Sequence, residues 1–298
     1  MPNELLIALV AGFGGMFGWG LADFFAKKTI DELGDVMTLA WAGVFGTITF
    51  LIASMYAVLV KGLPVIVPTS PTVWGLLVFF GALQAAVYIF AYRGFGKGQV
   101  GLLAPVFASF SGVVAVTSIL FFGEPTSGSQ LFALAVIFCG IVLLNADMQA
   151  LSSMRLKWNS IAGLSDVLIA TVLAAVWTIL WDRFLGGENW LFYALYMFIF
   201  MTITVFVWAY ARQLSFAVTR GGLWKFIAAI GFCETIAYIA ISLGYGATSY
   251  VSIVAILSGA FALPTIVLAR LFLGERTTKM QTVGSLVIVA GTILVVMV

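Results

Sequence analysis

Polar residues in this chain fall into short islands separated by apolar stretches about as long as a bilayer is thick. Ten stretches recur, over roughly 5–26, 36–60, 73–92, 99–122, 130–146, 161–181, 190–211, 224–243, 249–273 and 280–298. About 20 apolar residues carry a helix through a hydrocarbon core about 30 Å thick. Lipid offers the backbone no hydrogen-bond partner, so each stretch reads as a membrane-spanning helix. The islands between them are short, and the longest, 147–160, falls at the midpoint. The pattern predicts an all-α integral membrane protein of ten transmembrane helices, with a five-helix unit over 1–146, a linker over 147–160 and a second five-helix unit over 161–298.

The two units repeat each other. Gly81, Gln84, Tyr88, Gly94 and Gly96 recur 150 residues on as Gly231, Glu234, Tyr238, Gly244 and Gly246. Gly123, Glu124, Gln130 and Gly140 recur 151 residues on as Gly274, Glu275, Gln281 and Gly291. Five spans is an odd number, so the second copy must enter the membrane upside down. The charges agree. Alternate loops hold Lys27, Lys28, Arg93, Lys97, Arg155, Lys157, Arg212, Arg220, Lys225, Arg270, Arg276 and Lys279, and the opposite set holds only Lys61 and Arg183. By the positive-inside rule the first set is cytoplasmic and both termini lie outside. Residues 5–26 lack a basic leader and cleavage site and read as a retained span.

Composition narrows the function. Hydrophobic residues make up 63% of the 298 and charged residues 9%, against about 25% charged in soluble domains. The net charge of +2, without a basic block, argues against nucleic acid. There is no histidine, which removes histidine metal sites, His-based triads and histidine relays. Cys139 and Cys233 lie in apolar runs and read as small buried side chains. No paired carboxylates or Gly-x-Ser-x-Gly pattern suggests an enzyme, and no cofactor is expected.

The chemistry must then come from few residues. Glu234 lies near the middle of the eighth span, where an acid carries an insertion penalty of about 2.5–3.5 kcal/mol and needs a cavity, a partner or a proton. Tyr238 and Ser242 follow on the same helical face, and the first copy offers Gln84, Tyr88 and Tyr92 there. Trp19 and Trp177 lie late in the first span of each copy and can wall a cavity; Trp41 and Tyr193 have a weaker claim. Pro105 and Pro264 can bend spans four and nine, with Ser109, Ser111 and Ser258 nearby to supply hydroxyls. Asp23 reads as an interfacial partner of Lys27, and Asp166 as either a helix cap or a cavity residue. The glycines of span one, including Gly14 and Gly18, read as close helix packing, and Glu124 and Glu275 as helix caps.

With the Trp19–Lys27 end of span one, the Gly-Glu loops at 123–124 and 274–275, and Gly140 and Gly291, the chain resembles the drug/metabolite transporter superfamily, in its ten-helix EamA-type branch. That resemblance implies a secondary transporter of small metabolites, amino acids or drugs, often outward, with a central cavity lined by spans one, three, four, six, eight and nine. It also implies cytoplasmic termini, contrary to the charge count. Pro105 is 19 residues before Glu124 and Pro264 only 11 before Glu275, which predicts asymmetric bends.

The combined expectation is an alternating-access carrier and exporter in the cell membrane, working as a monomer on a small-molecule solute. Trp19, Gln84, Tyr88, Tyr92, Ser109, Trp177, Glu234, Tyr238 and Ser258 are the expected binding residues, and Glu234 is also the candidate for proton coupling. An uncoupled facilitator or exchanger is the alternative; a channel or sensor fits less well.

Overall fold

The computed structural model describes residues 2–26, 29–97, 100–145, 162–185, 190–218, 220–272 and 278–297. The secondary structure among these residues is helical, with no strand. The first copy comprises α1 (Pro2–Ala26), the single turn α2 (Ile30–Leu33), α3 (Asp35–Leu59), α4 (Pro71–Lys97), α5 (Val100–Ala108), α6 (Phe110–Phe122) and α7 (Gly128–Asn145). The second comprises α8 (Leu164–Leu185), α9 (Trp190–Ala211), α10 (Trp224–Ala247), α11 (Val251–Gly259), α12 (Ala262–Phe272) and α13 (Lys279–Met297). The central linker, Lys27 and the Gly274-Glu275 pair lie outside the described residues.

Spans four and nine are each split in two, as α5–α6 and α11–α12. The breaks do not follow the unequal proline spacing. They fall at Ser109 and at Ala260–Phe261, and 109 and 260 are related by the same 151-residue offset as the Gly-Glu pairs. The two copies reach one geometry by different chemistry. In the second, Pro264 has no N–H to give the Ala260 carbonyl. In the first, hydroxyls compete with the helical pattern: Ser109 Oγ donates to Val106 O at 2.6 Å and Ser111 Oγ to Ala108 O at 3.0 Å. Thr171 Oγ1, from α8 in the other copy, also reaches Val106 O at 3.1 Å.

The repeated glutamines have a local role. Ser127 N–H donates to Gln130 Oε1 (3.0 Å) and Gln130 N–H to Ser127 Oγ (3.1 Å). Thr278 and Gln281 exchange the same two bonds at 2.9 and 3.1 Å. Each is a capping box that fixes the start of the last span of its copy.

The most extensive helix pairings join the two copies: α1 with α10, α7 with α13 and α4 with α8. Interchanging the copies turns α1–α10 into α8–α4, as a pseudo-twofold axis requires. Small residues permit the close crossings, since apolar side chains gain little by leaving lipid. A Cβ on Gly14 would stand 2.4 Å from Ala240 Cβ, and one on Gly18 2.8 Å from Ala237 N. The outer surface is apolar, with Leu120, Phe121, Leu271 and Phe272 exposed. Cys139 belongs to this outer surface, contrary to expectation, whereas Cys233 is buried.

Asp166 neither caps its helix nor reaches the central cavity. It pairs with Lys97 Nζ at 2.6 Å and Arg93 Nε at 3.3 Å, tying α8 to the end of α4. Both cations are half exposed, so solvent screens the pairs; Asp166→Asn is expected to cost about 1 kcal/mol, read as a small salt-sensitive drop in melting temperature.

Candidate functional site

A cavity of about 320 Å³ lies between the two copies. It runs from Glu234, halfway along α10, toward the face that carries the Lys- and Arg-rich loops. Trp19 and Asp23 of α1, Gln84, Tyr88, Tyr92 and Phe95 of α4, and Phe107 and Phe110 beside the first break form one wall. Trp177 and Thr178 of α8, Glu234 of α10, and Phe261 and Thr265 beside the second break form the other. These belong to spans one, three, four, six, eight and nine, together with Asn145 at the end of α7.

Glu234 is the polar centre. Its Oε2 accepts from Trp19 Nε1 at 3.2 Å and from Tyr88 Oη at 3.1 Å, both from the other copy. With Tyr88 committed as donor to an ionised Glu234, its oxygen accepts from Tyr238 Oη at 3.3 Å. Tyr238 Oη in turn accepts from Gln84 Nε2 at 2.9 Å; Met201 Sδ, at 3.8 Å, is a weaker acceptor for its hydrogen. With Glu234 ionised, the donors run one way, Gln84 to Tyr238 to Tyr88 to Glu234. This direction fixes the Gln84 amide and leaves its Oε1 buried without a partner.

The aromatic frame is tied to the backbone. Trp177 Nε1 donates to Phe80 O at 3.1 Å, and its ring stacks on Trp181 with centroids 5.6 Å apart. Trp19 meets Tyr238 edge-on at 5.8 Å. Thr265 Oγ1 donates to Gly20 O at 2.9 Å, holding the start of α12 against α1.

Of the nine expected binding residues, Trp19, Gln84, Tyr88, Tyr92, Trp177 and Glu234 line the cavity. The other three do not. Tyr238 is fully buried behind the wall, where it links Gln84 to Tyr88. Ser109 and Ser258 turn their hydroxyls onto backbone carbonyls of their own helices, Val106 O and Ala255 O. Ser242 is also buried, accepting from Trp181 Nε1 at 3.2 Å. Trp41 and Tyr193 lie elsewhere: Trp41 reaches Phe216 O at 3.3 Å, and Tyr193 stacks on Phe184.

Sequence reasoning read Asp23 as an interfacial partner of Lys27, but Asp23 shares the cavity with Glu234 and lies within electrostatic reach of it. The same reasoning passed over Phe110 and Phe261. These two are 151 residues apart and stand at the equivalent breaks, so carrying the repeat offset through spans four and nine would have found them.

A cavity between two inverted repeats, bounded by broken helices, is an architecture found among membrane transporters. The EamA-like transporter family model matches the chain twice, over residues 6–146 and 161–297, and the chain belongs to that family. It is thus a multi-pass membrane transporter of small-molecule solutes, not an enzyme. No curated protein sequence matches it. A protein solved by crystallography shares the fold, with a TM-score of 0.77 at 16% identity over 97% of each chain.

Proposed function

We propose that the chain is an alternating-access carrier that exports a small amphipathic organic solute across the cell membrane. The observation that carries this is the aromatic cavity between the repeats, with Glu234 at its inner end. Trp19, Tyr88, Tyr92 and Trp177 offer flat apolar and cation-attracting surface. Glu234 holds a cationic group of the solute or exchanges a proton for it. The cavity is complete within one chain, and this reading takes the monomer as the working unit. The cavity runs to the Lys- and Arg-rich face, cytoplasmic by the charge rule, and loading from that side suits export.

The test begins with purified protein and a thermal-shift screen of amino acids, nucleosides, polyamines and cationic drugs. A ligand series that stabilises the wild type but not Tyr88→Ala is expected. Liposomes loaded with the best ligand should then show saturable counterflow of the labelled compound. Flux that never saturates would point to a channel and overturn the carrier reading.

A further inference from the structure

The face opposite the central cavity is held shut by contacts that each cross from one copy to the other. Glu4 Oε2 accepts from Ser249 N–H at 3.4 Å, and the Arg183 guanidinium lies 3.9 Å from the centre of the Phe122 ring. The third contact is Glu124. Gly123 ends α6 in the left-handed conformation (φ 66°), a turn that glycine adopts without a Cβ clash. That turn sends Glu124 to the amino end of α11 rather than to the helix that follows it.

Helix α11 has no cap of its own, because Tyr250 precedes it without a capping side chain. The first N–H groups of a helix need a partner. Ser252 N–H finds both Glu124 oxygens, at 3.0 and 3.2 Å, and the Ser252 hydroxyl contacts Glu124 Oε1. The position equivalent to Ser252 in the first copy is Gly101, by the 151-residue offset, and it has no hydroxyl.

We propose that Glu124 is a positioning residue of the transport cycle: it seals this face as a neutral acid, and opening the face to water releases its proton. A neutral carboxyl satisfies the site, its O–H toward the Ser252 hydroxyl and its other oxygen on the Ser252 N–H. An anion there would keep the Ser252 bonds and the favourable amino end of α11, but burial away from water works against it. Among the described residues, the groups facing it across a polar cavity of about 560 Å³ are Glu4 from α1, Asp182 and Arg183 from α8, and Tyr245 from α10. Arg183 is engaged with Phe122 and, at 3.7 Å, with Asp182. Opening the face joins this cavity to bulk water, which takes the proton.

Burial raises the Glu124 carboxyl from its ordinary 4.5 to about 7, against the lowering effect of the Ser252 bonds and with a small further rise from Asp182. The sealed state therefore binds the proton more tightly than a hydrated, open one. Acid favours the sealed state; the effect is complete below about pH 4.5 and lost as pH rises through about 7. A shift of that size changes the sealed-to-open ratio by up to about 300-fold.

This rests on the alternating-access reading, and one experiment separates the two. In a Cys139→Ser/Cys233→Ser background, spin labels at Ser129→Cys and Ser249→Cys, both exposed on this face, report its width in nanodiscs between pH 4.5 and 8. The expected result is two distances, with the longer gaining population as pH rises. Glu124→Gln should hold the short distance at every pH, and Glu124→Asp should restore the pH dependence. Two distances whose ratio ignores pH, or a longer distance favoured by acid, would overturn the role of Glu124 alone. A single distance at every pH would overturn both it and alternating access.

Discussion

Glu234→Gln should abolish gradient-driven accumulation of the solute while leaving exchange of labelled for unlabelled solute measurable. The amide oxygen of glutamine can still accept from Trp19 and Tyr88, so the cavity keeps its shape. What disappears is the negative charge and the proton it can carry. Where the acid couples proton to solute movement, transport in proteoliposomes should lose its pH dependence and fall to the level seen without a gradient. Where it instead holds a cationic group, losing a charge-assisted hydrogen bond of about 1.5–3 kcal/mol should weaken apparent affinity about 10- to 100-fold. An exchange rate and pH profile both matching the wild type would remove Glu234 from the mechanism.

Gly231→Val should cost the most stability. A Cβ at Gly231 would stand 2.3 Å from Ala42 O and 2.6 Å from Gly46 N, so the obstacle is the backbone of α3 rather than a movable side chain. One turn on, Thr235 Oγ1 donates to Gly46 O at 2.9 Å, which pins α3 to α10 at this crossing. Overpacking a tight core costs about 1–3 kcal/mol and at times more; with backbone on both sides, about 3 kcal/mol or more is expected, or a melting temperature about 10 °C lower. Gly81, the repeat partner, would meet Met201 N at 2.7 Å and should behave alike. Gly75, with nothing within 4 Å of its would-be Cβ, supplies the control: its valine variant should melt with the wild type.

The spans and the repeat were legible because they rest on one-dimensional quantities, hydropathy and spacing. The cavity-lining position of Glu234, Gln84 and Tyr88 followed from helical period and the cost of an acid in lipid. Where expectation and structure part, the reason is direction in space. Ser109 and Ser258 sit at or beside helix breaks, as hydroxyls near a cavity should, but each turns back onto the carbonyl three residues earlier rather than into the cavity. Tyr238 shares a face with Glu234, yet one turn along the helix is enough to put it behind the wall. Glu124 caps a helix, as its chemistry predicts, but one 128 residues away, which no local pattern encodes. Asp166 found its cations on another helix for the same reason.

The run of hydrogen bonds from Gln84 to Glu234 has a built-in polarity. While Glu234 is charged, each hydrogen points toward it and the Gln84 oxygen goes without a partner. A neutral Glu234 can donate instead, and the two tyrosine hydroxyls can then turn about. The Gln84 amide would have to rotate by half a turn to offer its oxygen to Tyr238, trading an unpaired acceptor for unpaired amide hydrogens. A single proton gained on α10 is thereby written as an orientation on α4, in the opposite repeat.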